Sequence, residues 1–204
     1  MPAQDAVKVA GDNYKLITEN ARVRILDVKL TPGQKTAMHS HPDLIAVILA
    51  PSTIKQTTAD GKSAEVGGNE KRGGVLFTPA TTHISENIGK TPFHAILVEF
   101  KQPAPAAGKG GKPSMPAPFK QVLDNAYVRI FDGTSLPGAA LAEHTHADHI
   151  TIALSNGSAE ITDKDGKKQT YPFKRDEAVF SGPATHSVVN TSKAPLRLID
   201  VEMK

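Results

Sequence analysis

Short apolar segments alternate with turn residues along the whole chain. YKLIT, VRILDVKL, LIAVILA and AILVEF fall in the first half, and YVRIFD, ITIAL and LRLIDV in the second. Each is strand length and rich in Val, Ile and Leu, the side chains that suit a pleated, packed surface. Turn signals separate them: Pro32-Gly33, Asp60-Gly61, Gly73-Gly74, Gly89, Pro137-Gly138, Asn156-Gly157, Asp165-Gly166 and Gly182-Pro183. Strands this short, with turns this frequent, predict an all-β antiparallel sandwich or barrel. No segment reads as a long amphipathic helix.

The pattern occurs twice. NARVRILD matches NAYVRIFD at an offset of 105 positions, Asn20 against Asn125. Pro32-Gly33 then matches Pro137-Gly138, HSHPDLI matches HTHADHI, and DGK at Asp60 matches DGK at Asp165. After a two-residue slip, Phe77 pairs with Phe180, His83 with His186, Asn87 with Asn190, and VEFK with VEMK. An internal repeat of this size predicts two tandem domains, residues 1–101 and 119–204. Between them, Gln102 to Pro118 is dense in Pro, Gly, Ala and Lys without apolar periodicity, the composition of a linker.

Composition narrows the chemistry. The chain has 204 residues, long enough for two small cores. No apolar run approaches a membrane span, and the net charge of +3 comes from scattered lysines rather than a basic stripe, so neither membrane nor nucleic acid is expected as a partner. With no cysteine, His and carboxylates are the only candidate metal ligands. Pro2-Ala3-Gln4-Asp5 reads like the start of a mature chain after a small-residue cleavage site. Export to the periplasm is expected if a signal peptide preceded it, and a cytoplasmic location otherwise.

Six of the eight histidines occupy repeated positions. His39 and His41, like His144 and His146, are two apart, so on an extended strand they share one face. His83 and His186 offer a third nitrogen to each pair. The expected metal ligands are therefore His39, His41 and His83 in the first copy, and His144, His146 and His186 in the second. Three neutral imidazoles suit Fe, Zn, Cu or Ni without choosing among them. Asp43 and Asp148 follow the second histidine by two and are open to three roles: fourth ligand, acceptor for an imidazole N–H, or surface acid. The same strand parity places Ile45, Val47 and Leu49, and Ile150, Ile152 and Leu154, on the ligand face. It points Glu143 away from that face and makes His149 a non-ligand. His94 aligns with Arg197, a difference between the copies. Tyr14, Tyr127 and Tyr171 have no spacing that ties them to the metal.

The repeated unit resembles the cupins, and the whole chain resembles a bicupin, two cupin β-barrels joined head to tail. The first motif of that superfamily runs from a glycine through His-x-His to a glutamate and a closing glycine; Gly33, His39 and His41 match it, as do Gly138, His144, His146 and Gly157. Of the second motif, Gly73, Pro79, His83 and Asn87 match in one copy, and Pro183, His186 and Asn190 in the other. The ligating glutamate is missing from both, its place taken by Ile45 or Ala46 and by Ile150 or Thr151. The resemblance thus implies a three-histidine site, as in the cupin dioxygenases that act on thiols and diketones. It implies a divalent transition metal as cofactor, and the +2 charge that three neutral imidazoles leave uncompensated favours a small anionic or enolisable molecule as ligand. Oxygenase or isomerase chemistry is one expectation. A non-catalytic protein binding metal or a small ligand is the other. Self-association into a homo-oligomer stays open.

Overall fold

A computed structural model of the chain describes residues 4–103 and 115–204. The chain divides into two compact units, residues 1–103 and 104–204. Pro2 and Ala3, and residues 104–114 of the expected linker, lie outside the described residues.

The first unit opens with a single helical turn, α1 (Ala6–Val9), which the strand pattern did not predict. Asp5 caps it, its side chain accepting from the Val7 N–H at 2.8 Å. Nine strands follow: β1 (Tyr14–Glu19), β2 (Val23–Leu30), β3 (His39–His41), β4 (Leu44–Ala50), β5 (Ile54–Thr58), β6 (Ser63–Val66), β7 (Val75–Thr78), β8 (Thr81–Asn87) and β9 (Phe93–Phe100). They form a five-stranded sheet in the order β1-β2-β9-β4-β7 and a four-stranded sheet in the order β3-β8-β5-β6.

The second unit contains β10 (Lys120–Asp124), β11 (Val128–Ser135), β12 (Ala140–His146), β13 (His149–Ala153), β14 (Gly157–Asp163), β15 (Lys168–Phe173), β16 (Ala178–Ser181), β17 (Ala184–Asn190) and β18 (Leu196–Met203). Its sheets have the matching orders β10-β11-β18-β13-β16 and β12-β17-β14-β15. Every named pairing is antiparallel, so the all-β expectation holds, with two sheets in each unit.

Gly33 and Gly138 take φ of +78° and +74°, a backbone region costly for residues with a Cβ, and so turn the chain just before each His-x-His segment. Motif residues Asn87 and Asn190 are structural. Each is buried and donates its amide to the backbone: Asn87 to Leu30 and Thr91, Asn190 to Ser135 and Ala194.

One feature of the topology decides the site. β3 belongs to the four-stranded sheet and β4 to the five-stranded one, with Pro42-Asp43 between them; β12 and β13 are divided the same way. Strand parity therefore does not carry across the break. In the first unit Leu44, Ala46 and Ile48 face the interior between the sheets, not Ile45, Val47 and Leu49. In the second, His149, Thr151 and Ala153 do so, not Ile150, Ile152 and Leu154. The residues pointing the other way are buried as well, Ile45 and Val47 to 0 % exposure. A run such as LIAVILA is apolar on both faces and carries no alternation from which to read its orientation.

Candidate metal centres

In each unit the two histidine-bearing strands are neighbours. His39 lies directly across from His83 on β3 and β8, and His144 across from His186 on β12 and β17. His41 and His146, two residues further on, occupy the same faces. Between the paired histidines, outward residues lock the register: Ser40 Oγ meets Thr82 Oγ1 at 2.7 Å, and Thr145 Oγ1 meets Thr185 Oγ1 at 2.9 Å.

The result is a triangle of imidazoles in each unit. Ring centroids are 4.8, 4.9 and 5.4 Å apart in the first unit and 4.8, 4.7 and 5.0 Å apart in the second. One nitrogen from each ring lies within 4.8 Å of the others in both groups, so each could hold a metal ion. All six histidines are buried except His186, which is partly exposed. His41 and His83 line a cavity of about 270 Å³ in the first unit, and His144, His146 and His186 one of about 220 Å³ in the second.

The first triangle fits a metal. Burial pushes His39 down to about 4 and His83 to about 3, so both rings are neutral at neutral pH and keep a lone pair for a ligand. His39 Nδ1–H donates to the Ala37 carbonyl at 2.8 Å, which leaves Nε2 as the unprotonated nitrogen. His83 Nδ1 is buried without a hydrogen-bond partner. His41 Nδ1 contacts Glu99 at 2.5 Å; Glu99 in turn binds Arg24 at 2.5 Å, and Arg24 pairs with Asp5. Such a carboxylate fixes ring orientation and raises the donor strength of the other nitrogen.

Two residues at this site were not expected from the sequence. Glu99 lies in VEFK, which matches VEMK in the second half, and its signal was legible: an acid at the same place in both, following the apolar run AILV in the first. Tyr14 had no spacing relation to the histidines. It comes from β1 in the opposite sheet, and its hydroxyl lies 3.0 Å from His39 Nε2. Burial, only partly offset by Ser85, raises the phenol to about 12, and it stays protonated at neutral pH.

The second triangle differs in its surroundings. His144 and His186 are depressed, His186 to about 4, with burial as the main cause. His146 behaves oppositely. Burial would lower it, but Asp200 and Glu202 outweigh burial and raise it to about 9. His149, expected to stay out of the site, is buried and stacks on His146 with centroids 4.3 Å apart and planes at 22°. The break between β12 and β13 puts it there. Phe119 takes the place of Tyr14 and rests on Gly133, where a Cβ would come within 2.5 Å of the ring.

The remaining candidates lie elsewhere. Asp43 accepts from the Ala80 N–H at 2.7 Å, in the turn before β8, and neither Asp43 nor Asp148 joins the grouped ligand atoms. Glu143 is exposed, as its parity predicts. His94 contacts Asp27 at 2.5 Å, and Arg197 forms a two-point pair with Asp132 at 3.0 and 2.7 Å, so this difference between the copies is spent on an equivalent aspartate rather than in the cavities. Tyr171 lines the second cavity beside Phe173.

No family model and no curated protein matches the sequence. Solved structures do. A cupin 2 conserved barrel domain protein from Leptotrichia buccalis is similar over 94% of this chain and 88% of its own, at 12% identity and TM-score 0.56. AerE from Microcystis aeruginosa is similar over 94% and 97%, at 14% identity and TM-score 0.61. Salicylate 1,2-dioxygenase from Pseudoaminobacter salicylatoxidans, solved with gentisate, is similar over 91% and 70%, at 10% identity and TM-score 0.59. The fold is that of a two-domain cupin.

Proposed function

We propose that this chain is a divalent-metal bicupin, with one ion on His39, His41 and His83 and another on His144, His146 and His186. The repeated triangle of buried ring nitrogens within 4.8 Å carries this reading. Each ring would bind through one nitrogen, and for His41 the other already faces the carboxylate of Glu99. Bound there, a divalent transition metal would supply a Lewis acid with positions open to a small ligand.

Catalysis belongs to the second unit. Phe119, Leu141, Phe173 and Val188 line its cavity with apolar walls, which exclude water around a small ligand. Tyr171 and Glu177 give that cavity polar groups able to hold or move a proton. A small anionic or enolisable molecule, with gentisate as the first probe, is the substrate class we propose for an oxygenase or isomerase activity. Non-catalytic binding of metal or a small ligand is the second reading, and it is favoured in the first unit. There the Tyr14 hydroxyl already occupies His39 Nε2, and among the described residues the cavity lining contains no carboxylate.

Elemental analysis of the purified protein tests the metal reading. His83→Ala and His186→Ala should each remove about one equivalent, and the double variant about two. Unchanged stoichiometry in both single variants would sink it. Oxygen uptake with gentisate and simple diketones then separates an oxygenase from a binder.

A further inference from the structure

We propose that the second unit carries an additional cation subsite, on His146 Nδ1, His149 and Asp200, which the first unit lacks. Ligand atoms of these three residues lie within 4.8 Å of one another, as a group separate from the His144–His146–His186 triangle. All three are buried, at 3, 4 and 4 % exposure.

The polar atoms there are unsatisfied. His146 Nδ1 lies 3.6 Å from Asp200 Oδ1 and 3.2 Å from Glu202 Oε1, yet none of these three atoms is aligned in a hydrogen bond. Leaving buried donors and acceptors unmade is costly, so such atoms point to a missing partner. A divalent cation satisfies a carboxylate oxygen and ring nitrogens together. His149 is prepared for that role. Its Nδ1–H donates to the Ala147 carbonyl at 3.0 Å, leaving Nε2 free. Thr151 Oγ1 holds the other oxygen of Asp200 at 3.3 Å and leaves Oδ1 for the ion.

The first unit supplies the contrast. Its register puts Leu44 where His149 stands, each opposite a glutamate of the last strand, Glu99 or Glu202. It puts Leu97 where Asp200 stands, opposite Ala46 in place of Thr151. Both leucines are buried in the apolar cluster beneath Tyr14. Two neighbouring apolar positions in one unit are thus a histidine and an aspartate in the other, and together they make the subsite.

His146 then serves two ions, through Nδ1 here and through Nε2 in the triangle, having given its N–H protons to solvent. The subsite shares His146 with the three-histidine reading but does not depend on it.

Zn²⁺ titrated into metal-free full-length protein, with bound metal counted after dialysis and Co²⁺ absorption as a second readout, tests this. His149→Leu/Asp200→Leu should bind about one equivalent less than the parent, His186→Ala about one less, and His146→Ala about two less. The leucine pair copies the packing of Leu44 and Leu97. The near-isosteric Asp200→Asn covers the case in which that pair fails to fold, and it should weaken the subsite at least about tenfold. Parent stoichiometry and affinity in the leucine pair, or in Asp200→Asn where the pair does not fold, overturn the subsite. If His83→Ala and His186→Ala lose nothing while the leucine pair loses one equivalent, the three-histidine reading fails and the subsite stands.

Discussion

The Tyr14 hydroxyl lies 3.0 Å from Nε2 of His39, the nitrogen a metal would take. Its counterpart in the second unit, Phe119, has no hydroxyl to offer. Metal entering the first triangle must break this contact. A hydrogen bond of this kind is worth about 1 kcal/mol net. Tyr14→Phe, measured by calorimetric Zn²⁺ titration in a His146→Ala background, should therefore bind roughly fivefold tighter at the first site. Weaker binding would instead make Tyr14 a ligand.

Metal-free, both units should lose stability as pH falls, through His39 and His83 in the first and His144 and His186 in the second, and the second should also lose it as pH rises. His39 and His83 have folded values of about 4 and about 3, below the ordinary 6.5. The unfolded chain takes up protons that the folded one refuses, so stability of the first unit is full above 6.5 and falls as pH drops towards 3 to 4. His146 is raised to about 9. Its contribution is full below 6.5 and is lost as pH rises through 9. Urea midpoints from pH 4 to 10 check both limbs. Asp200→Asn should flatten the alkaline limb, and His83→Leu the acid one.

Placing a carboxylate in the first unit should depend on the face chosen. Ile45 is fully buried and points away from the cavity, so Ile45→Glu should cost on the order of 4 kcal/mol and leave metal preference unchanged. Leu97 lines the cavity, and Leu97→Asp should shift preference towards harder ions such as Mn²⁺. Thermal unfolding and competitive metal loading distinguish the two variants. A metal shift from Ile45→Glu would contradict the assigned face.

Limited proteolysis should cut first within Gln102 to Pro118 and release two fragments of roughly 100 residues each. Early cleavage inside the strands of either half, seen by mass spectrometry, would defeat the two-domain boundary.

The sequence by itself determined the strands and the His-x-His pairing. Alternation, turn glycines and the fixed two-residue period of an extended chain are local properties, and local physics settles them. It also picked out the six histidines that close into triangles, because the two halves of the chain show them at matching positions. Tertiary structure decided what surrounds those triangles. Tyr14 and Asp200 arrive from strands far along the chain, placed by sheet order rather than by spacing. His149 faces the cavity because two strands adjacent in sequence lie in different sheets, and parity restarts at the break between them. Ile45 and Ala46 look alike in a run that is apolar throughout; only packing on both faces of the sheet decides which one meets the cavity.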